Sequence, residues 1–192
     1  LPKRAVSGEE LGVGHFANPS DLFCDAKHRF FVADTDNNRI VVINESWTAA
    51  IAVLETLVLP DGTETTLKAP MGVFVSPETE LIYIADSDNA RVLLCDLSGQ
   101  ITQVIEKPQA ALYPQENTFL PQKVLADRVG NVYVVLNNTT SGACVFDKTG
   151  AFTGFYGANR VEPTAEVVAR HFWHLIATDE MLEKSKKSVA SA

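Results

Sequence analysis

Short apolar runs, and runs in which apolar and polar residues alternate, recur along the chain and are separated by turn residues such as Pro60-Asp61-Gly62. A period of two is typical of β-strands. The pattern therefore predicts three groups of four strands. The predicted strands are Ser20–Cys24, Phe30–Ala33, Ile40–Ile43 and Ala50–Leu59, then Gly72–Val75, Leu81–Ala85, Val92–Cys95 and Gln100–Ile105, then Lys123–Ala126, Val132–Leu136, Ala143–Phe146 and Phe152–Tyr156.

The three groups are copies of one repeat. Pro19, Pro70 and Pro121 lie 51 residues apart both times, and Ala33-Asp34 and Ala85-Asp86 lie 52 apart. Four short strands in a repeat of about 50 residues are typical of a propeller blade. We therefore predict an all-β β-propeller in residues 1–160, with four-stranded blades at about 12–67, 68–118 and 119–160.

The hydrophobic period changes after residue 160, and residues 161–192 are predicted to form a C-terminal helical tail. Thr164 is a suitable N-cap, and an apolar stripe at helical spacing follows it. The stripe comprises Val168, Phe172, Leu175 and Ile176. A break near Ala177-Thr178 separates a second, more polar helix.

Two stretches resemble the NHL repeat. Gly14-His15-Phe16-Ala17-Asn18-Pro19, followed by the segment from Phe31 to Ile40, is similar to the G-x-F-x-x-P and V-A-D-T-x-N-N-R-I patterns of that family. The segment from Ile84 to Val92 keeps the second pattern, whereas Asn137-Asn138-Thr139-Thr140 stands where the family has Asp and Arg. The resemblance covers about residues 12–157 and implies blades of a six-bladed propeller. The same stretch is similar to the propeller portion of bacterial Yip-type membrane proteins, which implies an extracytoplasmic or cell-surface location.

Three blades cannot close a ring, because propellers have four to eight. We expect this chain to hold half of a six-bladed ring. The remaining blades would come from further sequence of a longer protein, which we favour because the chain ends in a charged helix, or from a second chain.

The pattern Asp-x-Asp-Asn-x-Arg occurs at Asp34–Arg39 and at Asp86–Arg91. The favoured interpretation is structural: these side chains hydrogen-bond the turn between two strands. In the alternative they face a ligand or the channel of the propeller. The candidate ligand-facing or channel-facing residues are Asp34, Asp36, Asn38, Arg39, Asp86, Asp88, Arg91, Asn137 and Asn138.

Metal binding has weak support in the sequence. Asp34, Asp36 and Asn38 match the first ligands of a calcium loop, but Arg39 stands where such a loop needs Gly. His171 and His174 are close enough on a helix to share a metal, yet we favour a packing role for both. We predict no cofactor, with Ca²⁺ as the one alternative.

The odd cysteine count indicates neither a disulfide framework nor a zinc site. Cys24, Cys95 and Cys144 align with apolar residues in the other repeats. We therefore predict that all three are small core side chains.

Charge and hydropathy narrow the classes of partner. Lys and Arg total 16 against 24 Asp and Glu, so the net charge is −8, and hydrophobic residues make up 46%. This acidic balance disfavours nucleic acid, which needs clustered basic side chains. No apolar run reaches the ~18 residues needed to span a membrane.

The leading functional hypothesis is a non-catalytic binding or scaffolding propeller for a protein, peptide or carbohydrate partner, because no catalytic motif is present in the sequence. The resemblance to six-bladed propellers leaves a second hypothesis, a metal-dependent lactonase or lyase-type hydrolase. Its site would lie at the channel mouth, where Asp34, Asp86, Asn137 and Asn138 occupy equivalent strand ends. A third hypothesis is an assembly role, through exposed blade edges or the Phe172, Leu175 and Ile176 stripe.

Overall fold

The computed structural model describes residues 5–137 and 142–157. The predicted helical tail, with His171 and His174, lies outside this range. The described chain forms three antiparallel four-stranded sheets and one two-stranded hairpin, and each four-stranded sheet runs in chain order. The predicted all-β architecture of propeller blades is therefore confirmed.

The three large sheets are called blades 1, 2 and 3. Blade 1 comprises β1 (Pro19–Cys24), β2 (Phe30–Asp34), β3 (Arg39–Ile43) and β4 (Ala50–Leu54). The hairpin comprises β5 (Thr56–Val58) and β6 (Glu64–Thr66). Blade 2 comprises β7 (Pro70–Val75), β8 (Ile82–Asp86), β9 (Arg91–Cys95) and β10 (Ile101–Glu106). Blade 3 comprises β11 (Pro121–Ala126), β12 (Val132–Leu136), β13 (Ala143–Phe146) and β14 (Phe152–Tyr156).

One predicted strand, Ala50–Leu59, is wrong in its second half. β4 ends at Leu54, and Thr56–Val58 pairs with Glu64–Thr66 instead of extending blade 1. Leu57 is completely buried in the core shared by blades 1 and 2. The chain leaves the sheet because this leucine is buried between the blades.

Each blade has two apolar faces, since side chains alternate along a strand. We call face A the side that carries Phe31, Ala33, Ile40 and Val42 in blade 1. The equivalent positions define face A in blades 2 and 3. Face B is the opposite side of each blade, and in blade 2 it carries Ile82, Ile84, Leu93 and Cys95. Face A of blade 1 packs against face B of blade 2 in one core. Face A of blade 2 packs against face B of blade 3 in a second core.

A leading segment precedes the first strand of each blade: residues 5–18, 55–69 and 107–120. Leu57 and Leu67 of the second segment, and Tyr113 and Phe119 of the third, are buried between adjacent blades. In the first segment Leu11 packs on face B of blade 1. Each face B is therefore partly covered by the segment that leads into its own blade.

The first strands of the blades lie side by side, with β7 between β1 and β11. They are the inner strands. Gly72 permits the close approach of β7 to β11, because a Cβ at this position would lie 2.5 Å from the Gln122 carbonyl oxygen. Within the described residues no helix is long and apolar enough to cross a membrane.

Candidate functional site

The first copy of the Asp-x-Asp-Asn-x-Arg motif forms a tight turn between β2 and β3. Thr35–Asn37 is one 3₁₀ turn, and Asn38 closes it in the left-handed region at φ 55°. Asn accepts this conformation more readily than most residues. The side chain of Asp34 is completely buried beneath the turn.

Both carboxylate oxygens of Asp34 accept hydrogen bonds. The Ala17 amide donates to Oδ1 at 2.7 Å. Oδ2 accepts from Nε of Arg39 at 2.7 Å and from Nδ2 of Asn37 at 2.8 Å. Nη1 of Arg39 donates to the Val13 carbonyl oxygen at 2.7 Å. The buried pair therefore joins the leading segment to both strands at the turn.

The second copy of the motif repeats this arrangement in blade 2. The Lys68 amide donates to Oδ1 of Asp86 at 2.7 Å. Nε of Arg91 and Nδ2 of Asn89 donate to Oδ2 of Asp86 at 2.7 and 2.9 Å. Ala90 occupies the left-handed position at φ 54°. The two turns have the same structure, although their six-residue sequences differ at two positions, Thr35 against Ser87 and Asn38 against Ala90.

The end of β12 in blade 3 differs from the equivalent strand ends of blades 1 and 2. Leu136 pairs with Pro121 in the register where the other blades have Asp34 and Asp86. Asn137 is exposed, and its amide donates to the Leu120 carbonyl oxygen at 2.9 Å. Asn138 lies outside the described residues. The buried Asp–Arg pair is therefore replaced by an apolar residue in this blade.

The remaining candidate residues that the structure describes lie at the surface, on the same edge of the sheets. Asp36, Asn38 and Asp88 are exposed. Oδ1 of Asn38 also accepts the Ala69 amide at 2.8 Å and so contacts the leading segment of blade 2. We call the exposed residues Asp36, Asn38, Asp88 and Asn137 the turn face. The described candidate residues thus divide into an inner group, which comprises the buried Asp34, Arg39 and Asp86 and the partly buried Arg91, and the exposed turn face.

The buried carboxylates do not fit a calcium ion, since the N–H donors already bound to Asp34 and Asp86 occupy the positions that a cation would need. Glu45, the twelfth residue of the calcium-loop pattern, lies beyond β3 and contacts His28 at 3.3 Å. Across residues 5–137 and 142–157, no group of three or more His, Cys, Asp or Glu residues is arranged to hold a metal.

A polar cluster on the inner strands was not among the residues selected from the sequence. Nζ of Lys123 lies 2.7 Å from Oδ1 of Asp21 and donates to the Ser20 carbonyl oxygen at 3.1 Å. Oδ2 of Asp21 accepts the Val73 amide at 3.0 Å. One feature of the sequence indicates this cluster. Asp21 and Lys123 carry opposite charges, and each stands two residues after a repeat proline, Pro19 and Pro121.

The three thiols differ in their surroundings. Cys95 and Cys144 are completely buried, and burial raises the pKa of each thiol to about 12. Cys24 is exposed, so the prediction that it is a core side chain is wrong. It lies on face B of blade 1, where no preceding blade covers it; the equivalent Val75 is buried between blades.

Comparisons with known proteins support the fold. No family model matches the chain, and a search of curated proteins also finds no match. Hydrazine synthase of Kuenenia stuttgartiensis matches with a TM-score of 0.54 at 10% identity, over 82% of this chain and 40% of that one. The "extracellular domain of the putative one component system BT4673 from B. thetaiotaomicron" matches with a TM-score of 0.52 at 18% identity, over 78% of this chain and 19% of that one. The chain thus spans less than half of either neighbour, and both matches show a propeller-like fold.

Proposed function

We propose that this chain is part of a non-catalytic binding or scaffolding propeller of the NHL type, which recognises a protein, peptide or carbohydrate partner at the turn face. The observation that supports this proposal is the repeated turn, in which an Asp–Arg pair beneath the turn holds exposed polar residues in place. Asp36 stands two residues after buried Asp34, and Asp88 stands two residues after buried Asp86.

This arrangement favours binding because the backbone beneath the exposed groups is held in place. The buried ion pairs and the cross-segment hydrogen bonds of Arg39 and Arg91 restrict each turn before a partner arrives. Little conformational entropy is then lost on association. Carboxylates and amides on the surface suit a partner rich in hydrogen-bond donors, such as a basic peptide segment or the hydroxyl groups of a sugar.

The proposal includes a bacterial source and an extracytoplasmic or cell-surface location. The Yip-type resemblance supports this location, as does a structural neighbour that is itself an extracellular domain. It also includes blades at about 12–67, 68–118 and 119–160, with a helical tail at 161–192.

The test is a peptide-library and glycan-array screen with the 192-residue chain, followed by affinity measurements on each ligand found. We expect the double variant Asp36→Ala, Asp88→Ala to lose at least about tenfold in affinity, as is common for charged interface residues. The matched control is Glu45→Ala, Glu80→Ala, since these exposed acids lie in hairpins at the opposite edge of blades 1 and 2. An equal loss in both double variants would overturn the assignment to the turn face, as would binding that neither pair of substitutions changes.

A calcium titration separates this proposal from the hydrolase hypothesis. A bound ion stabilises the folded state by mass action, so a lactonase-type site would raise the Tm in millimolar Ca²⁺. We expect a shift below about one degree, since Asp34 and Asp86 are already saturated with N–H donors. A rise of several degrees, or measurable lactone hydrolysis, would overturn the non-catalytic assignment.

A further inference from the structure

The two contacts between blades repeat one arrangement, face A of one blade on face B of the next. Face A of blade 3 has no such partner within the described residues. Val135 is 44% exposed, whereas its equivalents Ala33 and Ala85 are both 0% exposed. The surface of blade 3 is therefore apolar at a position that is fully buried in the other two blades.

The outer strand of blade 3 shows the same contrast. Tyr156 is 69% exposed, whereas its equivalents Leu54 and Ile105 are 4% and 2% exposed. Val135 and Tyr156 border an open groove of about 350 Å³, which Leu125 and Ala143 also line. This groove is wide and mostly apolar, as expected of half of a blade contact.

Face B of blade 1 is the complementary surface at the other end of the described chain. Leu22 is 55% exposed, whereas its equivalents Val73 and Val124 are 3% and 7% exposed. Val53, on the same face, is 40% exposed. Blade 1 thus presents the side that, in blades 2 and 3, lies against a preceding face A.

The leading segment at residues 5–18 does not replace a preceding blade. It occupies the position that residues 55–69 occupy between blades 1 and 2, where Leu67 is buried and the Lys68 amide binds Asp86. The Ala17 amide binds Asp34 in the same way, and Phe16 stands at the Leu67 position but is only partly buried. Face B of blade 1 therefore already has the leading segment that an internal contact uses.

We propose that a second copy of this chain docks head to tail, with its blade 1 face B on blade 3 face A. The reciprocal contact forms between the same two faces, so two copies close a six-bladed ring. Blade 3 and blade 1 carry the two halves of a contact that the described residues form twice, between blades 1 and 2 and between blades 2 and 3. Three blades are too few to close a propeller, whereas six lie within the usual range. A two-fold axis along the channel relates the copies.

The experiment is light scattering of the full-length chain after size exclusion, combined with sedimentation equilibrium. The expected mass is twice the 20.9 kDa of one chain. Val135→Glu on face A and Leu22→Glu on face B should each give a monomer. Val129→Glu is the matched control, since Val129 is 72% exposed in the hairpin between β11 and β12. Tyr156→Glu is a second face A variant and should also give a monomer. Circular dichroism checks that all the variants stay folded.

Mixing the two variants tests the direction of docking. Val135→Glu keeps face B of blade 1, and Leu22→Glu keeps face A of blade 3, so the mixture can form one intact contact and should give a dimer. A dimer built from two A faces would survive Leu22→Glu, and one built from two B faces would survive Val135→Glu; either result would overturn the proposal. A monomeric wild-type chain at ~100 µM, far above the dissociation constant of a stable interface, would also overturn it.

Discussion

The ammonium group of Lys123, on the inner strand of blade 3, lies 2.7 Å from the carboxylate of Asp21, on the inner strand of blade 1. The inner strand of blade 2 lies between them, and its Val73 amide donates to the other oxygen of Asp21. One carboxylate of blade 1 therefore contacts both of the other blades. The lysine side chain is 49% exposed and that of Asp21 is 23% exposed.

Removal of this ion pair should weaken the association of blades 1 and 3. We expect Lys123→Met, which keeps the apolar stem, to lower the free energy of unfolding by up to about 1 kcal/mol, since partly exposed pairs are screened by solvent. A double-mutant cycle with Asp21→Asn, measured by urea denaturation, isolates the interaction. The exposed pair Lys27 and Glu80 is the control, with a smaller expected coupling. A coupling of zero would show that the contact does not stabilise the blades.

Substitution of the buried motif aspartates should be far more costly than substitution of their exposed neighbours. Asp34→Asn removes the buried carboxylate 2.7 Å from Nε of Arg39 and leaves the guanidinium with only the exposed carboxylate of Glu55, at 4.0 Å, as a counter-charge. We expect a loss of about 3 kcal/mol in the free energy of unfolding. Asp36→Asn, two residues further on at the surface, should change it by less than about 0.5 kcal/mol. Urea denaturation of both variants makes the comparison; equal losses would contradict the structural role assigned to Asp34.

Gly72 should not tolerate a side chain. A Cβ at this position would meet the Gln122 carbonyl oxygen at 2.5 Å, which forces the inner strands of blades 2 and 3 apart. We expect Gly72→Ala to destabilise the fold by about 2 kcal/mol, as other overpacking substitutions do. Gly62→Ala is the control, because its surroundings are open and only its φ of +85° is unfavourable, which costs roughly 1 kcal/mol. Thermal unfolding that ranks the two variants in the opposite order would contradict this packing.

The buried thiols of Cys95 and Cys144 should make the free energy of unfolding depend on pH in the alkaline range. Each has a pKa of about 12 when folded, above the ordinary value of 9.0, so the folded state disfavours the thiolate. The contribution of these thiols to the free energy of unfolding is therefore complete below pH 9 and is lost as the pH rises towards 12. We expect Cys95→Ala to flatten this decline in urea unfolding between pH 9 and 11.

Thiol labelling at pH 8 provides an independent measurement of the same surroundings. Cys24 is exposed in the single chain and should react rapidly in the monomeric variants Leu22→Glu and Val135→Glu, whereas Cys95 and Cys144 should react only after unfolding. The variant Cys24→Ser should lose the rapid phase and keep the slow one. Rapid labelling of Cys95 or Cys144 in the folded chain would contradict their burial.

The sequence by itself determined the blades and the turn motif. The period of two identified strands because side chains alternate across a sheet, and the proline spacing identified the repeat. The structural interpretation of the motif also required only local information, since Asp34 and Arg39 are five residues apart and face each other at one strand end. Contacts between residues this close in sequence are set by the local backbone conformation and do not depend on how the blades pack.

Only the tertiary structure decided which surfaces are buried and which distant residues meet. Cys24, Val75 and Ala126 occupy one repeat position, yet Cys24 is exposed and Val75 is buried, because burial depends on the neighbouring blade. The end of β4 at Leu54 has the same cause, since Leu57 is drawn into the core between blades 1 and 2. Asp21 and Lys123 meet because three inner strands pack side by side, an arrangement that depends on the stacking of whole sheets.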